Sequence, residues 1–317
     1  MPISERTTPA VKIAVVGAGA MGSIFGARFA DAGHQAVLVD VATPLVDKIN
    51  ADGVTVVRGD HEMVTHVPAT ADPAGVGEAD LVVFCVKCYH TAAAARMARP
   101  LVGPDTVVAS LQNGWGNGDV LAEVFPPEQL AVGVTYNSGT VLDVGRVAHP
   151  GVGPTVIGPF AGEDGAGAGR VAQALRDGGL EASVVSPVRP EIWKKLILNA
   201  ATLPTAALTG MPAGELTAHD PMHELVSAVA RESVAVAQAL GYAISEQERI
   251  DAIHALLTRA GPSKASMLQD FEAGRRTEID VINGAVVRAG DETGTPVPLN
   301  RALVQLVRGW EAKRGLA

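Results

Sequence analysis

The stretch from Val11 to Asp40 constrains the chain most. An apolar run, Val11-Lys12-Ile13-Ala14-Val15-Val16, leads into Gly17-Ala18-Gly19-Ala20-Met21-Gly22. An Ala-rich segment then runs to Ala32, Gly33 stops it, and Ala36-Val37-Leu38-Val39-Asp40 follows. The first run has the β-branched composition of a short strand. Ser23 to Ala32 spaces Ile24, Phe25, Phe29 and Ala32 as one face of a helix, with Gly33 at the C-terminal cap. The second apolar run is another strand and ends in a carboxylate.

Strand, G-x-G-x-x-G turn, helix and acid-terminated strand together form a dinucleotide-binding fingerprint, which a glycine turn alone would not. Gly17 permits the tight turn, Gly19 lets backbone approach a diphosphate, and Gly22 lets the helix pack close to the strand. The helix N-terminus offers N–H groups and a positive dipole end to that diphosphate. Asp40 stands 18 residues after Gly22, near the separation at which an acid accepts from the adenosine ribose hydroxyls.

The remaining sequence up to Val185 continues in the same style. Pro44 to Asn50 is a second helix, and Gly53–Val57 and Glu62–Val67 pair as strands across a turn at Arg58–His61. Leu81–Val86, Val107–Leu111 and Leu130–Tyr136 are near-continuous apolar runs, the mark of parallel strands buried on both faces. Arg146–His149 and Thr155–Ile157 suggest an antiparallel hairpin through Pro150–Pro154. Glu163–Gly169 is loop-like, Val171–Leu175 helical, and Ala182–Val185 the last strand. Ligands of open α/β sheets bind beyond the carboxyl ends of the strands, where Gly17–Gly22, Asp40, Lys87 and Asn113 all fall. Lys87 is then either a cofactor contact or a solvated lysine. Asn113 is either a ligand contact or half of an Asn-Gly turn.

Ser186-Pro187-Val188-Arg189-Pro190 marks a boundary, and long Ala/Leu/Val segments of helical spacing follow it. The expected architecture is an α/β Rossmann-type parallel-sheet domain over 11–186, followed by an all-helical domain over 187–317. The polar start, 1–10, reads as a disordered leader. With 317 residues, 47% of them hydrophobic, the chain can bury two cores. A net charge of −9 without a basic block argues against nucleic acid or an anionic membrane surface as partner. No apolar run approaches the ~20 residues that span a bilayer, so a cytoplasmic protein is expected. Cys85 and Cys88 form one isolated C-x-x-C, and His219 and His223 stand four apart with no third ligand; neither makes a metal motif, and no metal is expected.

Pro190 opens a helix on which Ile192, Trp193, Leu196, Ile197 and Ala200 form a broad apolar face. Lys195, Leu198, Asn199 and Thr202 form a second, mixed stripe; Lys194 points to neither. Lys195 is either one of a solvated lysine pair or partly buried beside Asn199. Burial lowers a lysine pKa towards the range of a general acid. Thr277-Glu278-Ile279-Asp280 has the form of a capping box.

Several blocks resemble the ketopantoate reductase (2-dehydropantoate 2-reductase) family, almost from end to end. They are Gly17–Gly22, Val86-Lys87, Gln112-Asn113-Gly114, Trp193-Lys194-Lys195-Leu196 with Asn199, Ser266-Met267-Leu268-Gln269-Asp270, and Arg276-Thr277-Glu278-Ile279-Asp280 with Ile282-Asn283-Gly284. The resemblance implies hydride transfer between a nicotinamide and C2 of a 2-oxo acid to give a D-2-hydroxy acid, in pantothenate biosynthesis, by a homodimer. It implies Lys195 as the general acid and Asn113, Asn199, Ser266 and Gln269 as substrate contacts. The fingerprint marks Gly17, Ala18, Gly19, Ala20, Met21, Gly22 and Asp40 as cofactor contacts, and the resemblance adds Lys87, Asn113, Gly139 and Glu278.

The chain also departs from that pattern. Asp40 replaces the usual arginine that would hold an NADPH 2′-phosphate, which favours NAD(H) over NADP(H). Leu203, Ala213 and Ser263 stand where asparagine is common, which favours a more apolar branched or aromatic 2-oxo acid. Two other readings stay open. One is a D-2-hydroxy acid dehydrogenase working mainly in oxidation; the other is a nicotinamide-binding sensor without turnover.

Overall fold

The structure, a computed structural model, describes residues 10–316. The stretch expected to be a leader therefore lies, but for Ala10, outside the described residues. Two compact units divide the chain. The first takes in residues up to Gln112 together with Asn117–Val188; the second takes in Asn113–Gly116 and everything from Arg189 onward.

The first unit runs β1 (Lys12–Val16), α1 (Ala20–Asp31), β2 (Gln35–Val39), α2 (Thr43–Asp52), β3 (Val54–Arg58), β4 (His61–Thr65), β5 (Ala69–Thr70), β6 (Leu81–Phe84) and α3 (Thr91–Met97). It continues with β7 (Val107–Ser110), α4 (Asn117–Ala122), β8 (Leu130–Thr135), β9 (Ser138–Asp143), β10 (Arg146–Gly151), β11 (Thr155–Pro159), α5 (Ala166–Asp177) and β12 (Ala182–Val184). Eight strands make one sheet in the order β12-β11-β8-β7-β6-β1-β2-β5, parallel except where β11 meets β8.

Strand alternation decides which face each side chain serves. Ile13 and Val15 of β1 and Leu81 and Val83 of β6 join a core with Ile24, Phe25 and Phe29 of α1 and Val171 and Leu175 of α5. Ala14, Val16, Val82 and Phe84 enter the opposite core, with Ala94 and Ala95 of α3 and Leu121 and Phe125. Helices thus cover both faces, which explains why these strands read as continuous apolar runs.

The expected hairpin of Arg146–His149 with Thr155–Ile157 does not form. β10 pairs antiparallel with β9 and parallel with β3, with Arg146 beside Thr55. β11 pairs with β8 instead. The Pro/Gly-rich connection carries the chain from a four-stranded sheet, ordered β4-β3-β10-β9, into the main one. Val147 and Ile157 are both buried in the core that also takes in Ile24, Phe25 and Phe29 of α1. Each is carried there by a different sheet, so the partners β3, β9 and β8, not a local turn, set these pairings. The loop expected over Glu163–Gly169 is also shorter, because α5 begins at Ala166. Ala168 is buried and Gly167 faces Val107, so packing overrides the weak helix propensity of this Gly/Ala stretch.

The second unit is helical: α6 (Arg189–Thr209), α7 (Ala213–Ala218), α8 (Asp220–Ala239), α9 (Glu246–Ala260), α10 (Ser266–Glu272), α11 (Asn283–Thr293) and α12 (Pro298–Ala312). Helix α6 packs against α7, α8, α10 and α12. Trp193 is fully buried, its ring centroid 5.7 Å from that of Trp115 and 6.1 Å from that of Tyr242. The Glu232 carboxylate accepts from the N–H groups of Leu299 and Asn300 at 2.9 and 3.0 Å, so α8 caps the start of α12. Among the described residues no helix is long and apolar enough to cross a membrane.

Candidate active site

In the first unit the glycine turn has the expected form. Gly17 adopts φ +98, and a Cβ there would lie 2.8 Å from the Val86 backbone nitrogen. A Cβ on Gly22 would lie 1.8 Å from the Gly17 carbonyl oxygen, so only glycine lets α1 sit this close to the turn. Gly19 differs, because a Cβ there would meet nothing within 4 Å. It is the N-cap of α1, and no side chain caps that end. The residues present fit a diphosphate: an open Cα, a helix N-terminus without a side-chain cap, and Ala20 and Met21 half-buried beside it.

Asp40 follows β2, half-buried, and ties this turn to the next. Its Oδ2 accepts from the Ala18 N–H at 2.8 Å and its Oδ1 from the Ala42 N–H at 2.9 Å. A carboxylate has about four acceptor sites, so the bonds leave capacity for ribose hydroxyls. Lys87 is half-buried, two residues beyond the Cys85 N–H that bonds to Val16. Gly139 lies in β9, where a Cβ would come within 2.8 to 3.2 Å of Ile24, Ala20 and Met21. Packing on α1 is a sufficient reason for glycine at that position. Cys85 and Cys88 form no disulfide with each other, and burial pushes the Cys85 thiol up to about 12. His223 stacks on His254 with ring centroids 3.6 Å apart.

In the second unit Lys195 is half-buried on α6, and its Nζ donates to Asn113 Oδ1 at 2.8 Å. Burial pulls its pKa down to about 8, against an upward pull from the Glu278 carboxylate. Lys194, on another side of the helix, pairs with Glu191 at 2.7 Å. Asn199 lies buried one turn beyond Lys195. Lys195, Asn113 and Glu278, far apart in sequence, therefore share one site. Ser266 opens α10, which packs against α6, and is half-buried. Gln269, one turn along α10, turns its Nε2 back to the Lys264 carbonyl at 3.0 Å.

The segment around Glu278 is not a capping box. Thr277 donates from both its N–H and its hydroxyl to Glu311 Oε1, each at 2.7 Å. Asp280 turns outward, 2.7 Å from Arg308. Glu311 is buried and accepts two donors, so its pull replaces the reciprocal bond a capping box needs. The Val281 carbonyl accepts from the Trp115 N–H at 2.8 Å. Gly114, at φ +88, lies so close to Val281 that a Cβ would come within 2.5 Å of it. Glu311 and Trp115 were not expected from the sequence. Trp115, next to the Asn113-Gly114 pair, offered the only local signal.

A glycine turn on a parallel sheet and a half-buried, carboxylate-faced lysine on a helix define a Rossmann-type oxidoreductase. Residues 13–162 match the family description "Ketopantoate reductase PanE/ApbA", and residues 187–311 match its C-terminal domain. The chain belongs to the ketopantoate reductase family. It is 34% identical over 300 residues to the 2-dehydropantoate 2-reductase of Halobacterium salinarum, covering 94% of this chain and 98% of that one. The Archaeoglobus fulgidus enzyme of that name is 34% identical over 302 residues, covering 95% and 98%. A crystal structure of a PanE/ApbA family ketopantoate reductase from Ralstonia eutropha JMP134 has a TM-score of 0.86 at 36% identity, over 96% of this chain and 99% of that one. The ternary structure of D-mandelate dehydrogenase with NADH and anilino(oxo)acetate has a TM-score of 0.91 at 26% identity, over 96% and 100%.

Proposed function

We propose that this enzyme transfers hydride between NAD(H) and C2 of a 2-oxo acid, interconverting it with the D-2-hydroxy acid. The observation that carries this reading is the Lys195 ammonium, half-buried, held by Asn113, faced by Glu278 and titrating near 8. The nicotinamide supplies the hydride when bound. Lys195 protonates the oxygen that becomes the alcohol, and its charge stabilises that oxygen as negative charge builds on it. Asn113 directs the ammonium. Asn199, Ser266 and Gln269 orient the substrate, its carboxylate on the Ser266 hydroxyl. Gly17 to Gly22 hold the diphosphate, Asp40 the adenosine ribose, and Lys87 and Glu278 contact the cofactor.

Asp40 supports NAD(H) over NADP(H), because a carboxylate accepts from a ribose diol and repels a 2′-phosphate. NADH is expected to bind at least roughly tenfold more tightly than NADPH, a difference of about 1.4 kcal/mol, by isothermal titration. Tighter NADPH binding would overturn that preference. The substrate side is tested by a panel of 2-oxo acids that includes ketopantoate and branched and aromatic members, followed at the nicotinamide absorbance. Leu203 and Ala213 are buried apolar residues where asparagine is common, which supports an apolar side chain on the substrate.

The likeness to D-mandelate dehydrogenase supports a second reading, in which oxidation of the D-2-hydroxy acid is the main direction. The pH profile separates the two chemistries. Reduction needs protonated Lys195, so its kcat is expected to be level below about pH 7 and to fall tenfold per pH unit well above about 8. Oxidation needs the neutral amine and is expected to rise through the same pH. Profiles without a limb near 8 would remove Lys195 from the proton transfer.

A further inference from the structure

Helix α6 carries Lys195 and Asn199 and continues past Pro204 to Thr209. A proline has no N–H to give, so the carbonyl four residues earlier loses its helical partner. That carbonyl belongs to Ala200, next to Asn199, in a fully buried stretch. It is not left bare, because Asn283 Nδ2 donates to it at 2.9 Å. Asn283 is itself fully buried and donates its other hydrogen to Asn300 Oδ1 at 3.0 Å. Asn300 Nδ2 in turn donates to Glu232 at 2.9 Å.

Asn283 ends the short segment that begins at Glu278. Within six residues that segment presents the Glu278 carboxylate, offers the Val281 carbonyl to the Trp115 N–H, and reaches α6 through Asn283. Trp115 is two residues from Asn113, the acceptor of the Lys195 ammonium. The segment thus bonds both to the loop that carries Asn113 and to the helix that carries Lys195. The missing N–H of Pro204 makes the docking point specific, because that turn of α6 has a carbonyl in need of a donor.

We propose that Asn283 and Pro204 form a latch that sets the register of α6 against the Glu278 segment, making Asn283 a positioning residue for Lys195. The proposal rests on the reading of Lys195 as proton donor. It differs from simple repair of a broken helix bond, and a cycle of Asn283→Ala, Pro204→Ala and the double variant separates the two. Alanine at 204 restores an N–H to the Ala200 carbonyl. The double variant is therefore expected to recover most of the thermal midpoint that Asn283→Ala loses. Its kcat is expected to stay about 10- to 100-fold below that of Pro204→Ala, with KM within about threefold, because misplacing a reacting group by about 1 Å costs on that order. Recovery of kcat together with the midpoint would reduce Asn283 to helix repair and overturn the latch. Should Asn283→Ala alone fail to fold, comparing the double variant with Pro204→Ala still decides. If the wild-type protein reduces no 2-oxo acid, the proposed function fails, and the latch is judged by nitrogen NMR of the Lys195 ammonium. An Asn283-dependent move of its pKa from about 8 in the Pro204→Ala background supports the latch, and an unmoved value sinks it.

Discussion

Lys195→Ala is expected to lower kcat for 2-oxo acid reduction by about 10³-fold, while NADH affinity stays within about threefold. General acid catalysis by a placed side chain is worth roughly 10² to 10⁴, and a preorganised charge facing a developing oxyanion contributes a comparable part. The two overlap in one ammonium and do not multiply. Most of the cofactor affinity is spared because the residues proposed to hold the diphosphate and the adenosine ribose, Gly17 to Gly22 and Asp40, are unchanged. Stability should change little. The wild-type ammonium is held half-buried with its pKa drawn down to about 8, so its removal ends an unfavourable burial as well as a hydrogen bond. Nicotinamide absorbance gives kcat, and fluorescence titration gives the NADH dissociation constant. A variant that keeps more than a tenth of wild-type kcat would take Lys195 out of the chemistry. A wild type that binds NADH but turns over no 2-oxo acid would favour the sensor reading.

What the sequence disclosed and what it withheld follow from the range of the interactions. The glycine turn and its strands are local. The same few residues that set the backbone also carry the composition signal, and β1, α1 and β2 lie within two residues of their expected ends, apart from the three-residue earlier start of α1. The double-faced burial of β6 and β7 was equally plain, since nothing but a two-sided core tolerates such apolar runs. Strand β9 was not legible. Ser138, Leu142 and Asp143 are exposed there, so no alternation marks it, and its place depends on β10 pairing with a strand some 90 residues earlier. Lys195 could be singled out only as one of two adjacent lysines. Its distinction from Lys194 comes from Asn113, 82 residues away, and from Glu278, which no helical wheel can place. The long reach of Asn283 to Ala200 was hidden for a further reason. It answers a donor that Pro204 lacks, and a missing donor shows in a sequence only after the helix is known to run through the proline.

Two alanine substitutions three residues apart should separate what the glycine turn needs for folding from what it needs for its ligand. Gly22→Ala places a methyl 1.8 Å from the Gly17 carbonyl oxygen and 3.3 Å from the Cys85 Cβ. The first obstacle is backbone and cannot swing aside, so α1 must lift from the turn. Overpacking of this kind costs about 3 kcal/mol or more, which lowers the melting temperature by roughly 6 to 12 °C in a protein this large. Cofactor affinity falls with it. Gly19→Ala has neither problem, because the methyl points into open space and the backbone, at φ −66 and ψ −165, is extended and open to any residue. The unliganded protein should stay within about 1 kcal/mol of wild type, since the narrower unfolded ensemble of alanine is offset by its poorer fit at the N-cap of α1. The same methyl occupies the surface a diphosphate must approach, so NADH affinity should drop about 10- to 100-fold, an overpacking cost of about 1.4 to 2.7 kcal/mol. Thermal melting without cofactor and NADH titration of both variants give the four numbers. A Gly19→Ala protein that binds NADH as tightly as wild type would move the diphosphate away from this turn, since the open space beside position 19 would then serve no ligand.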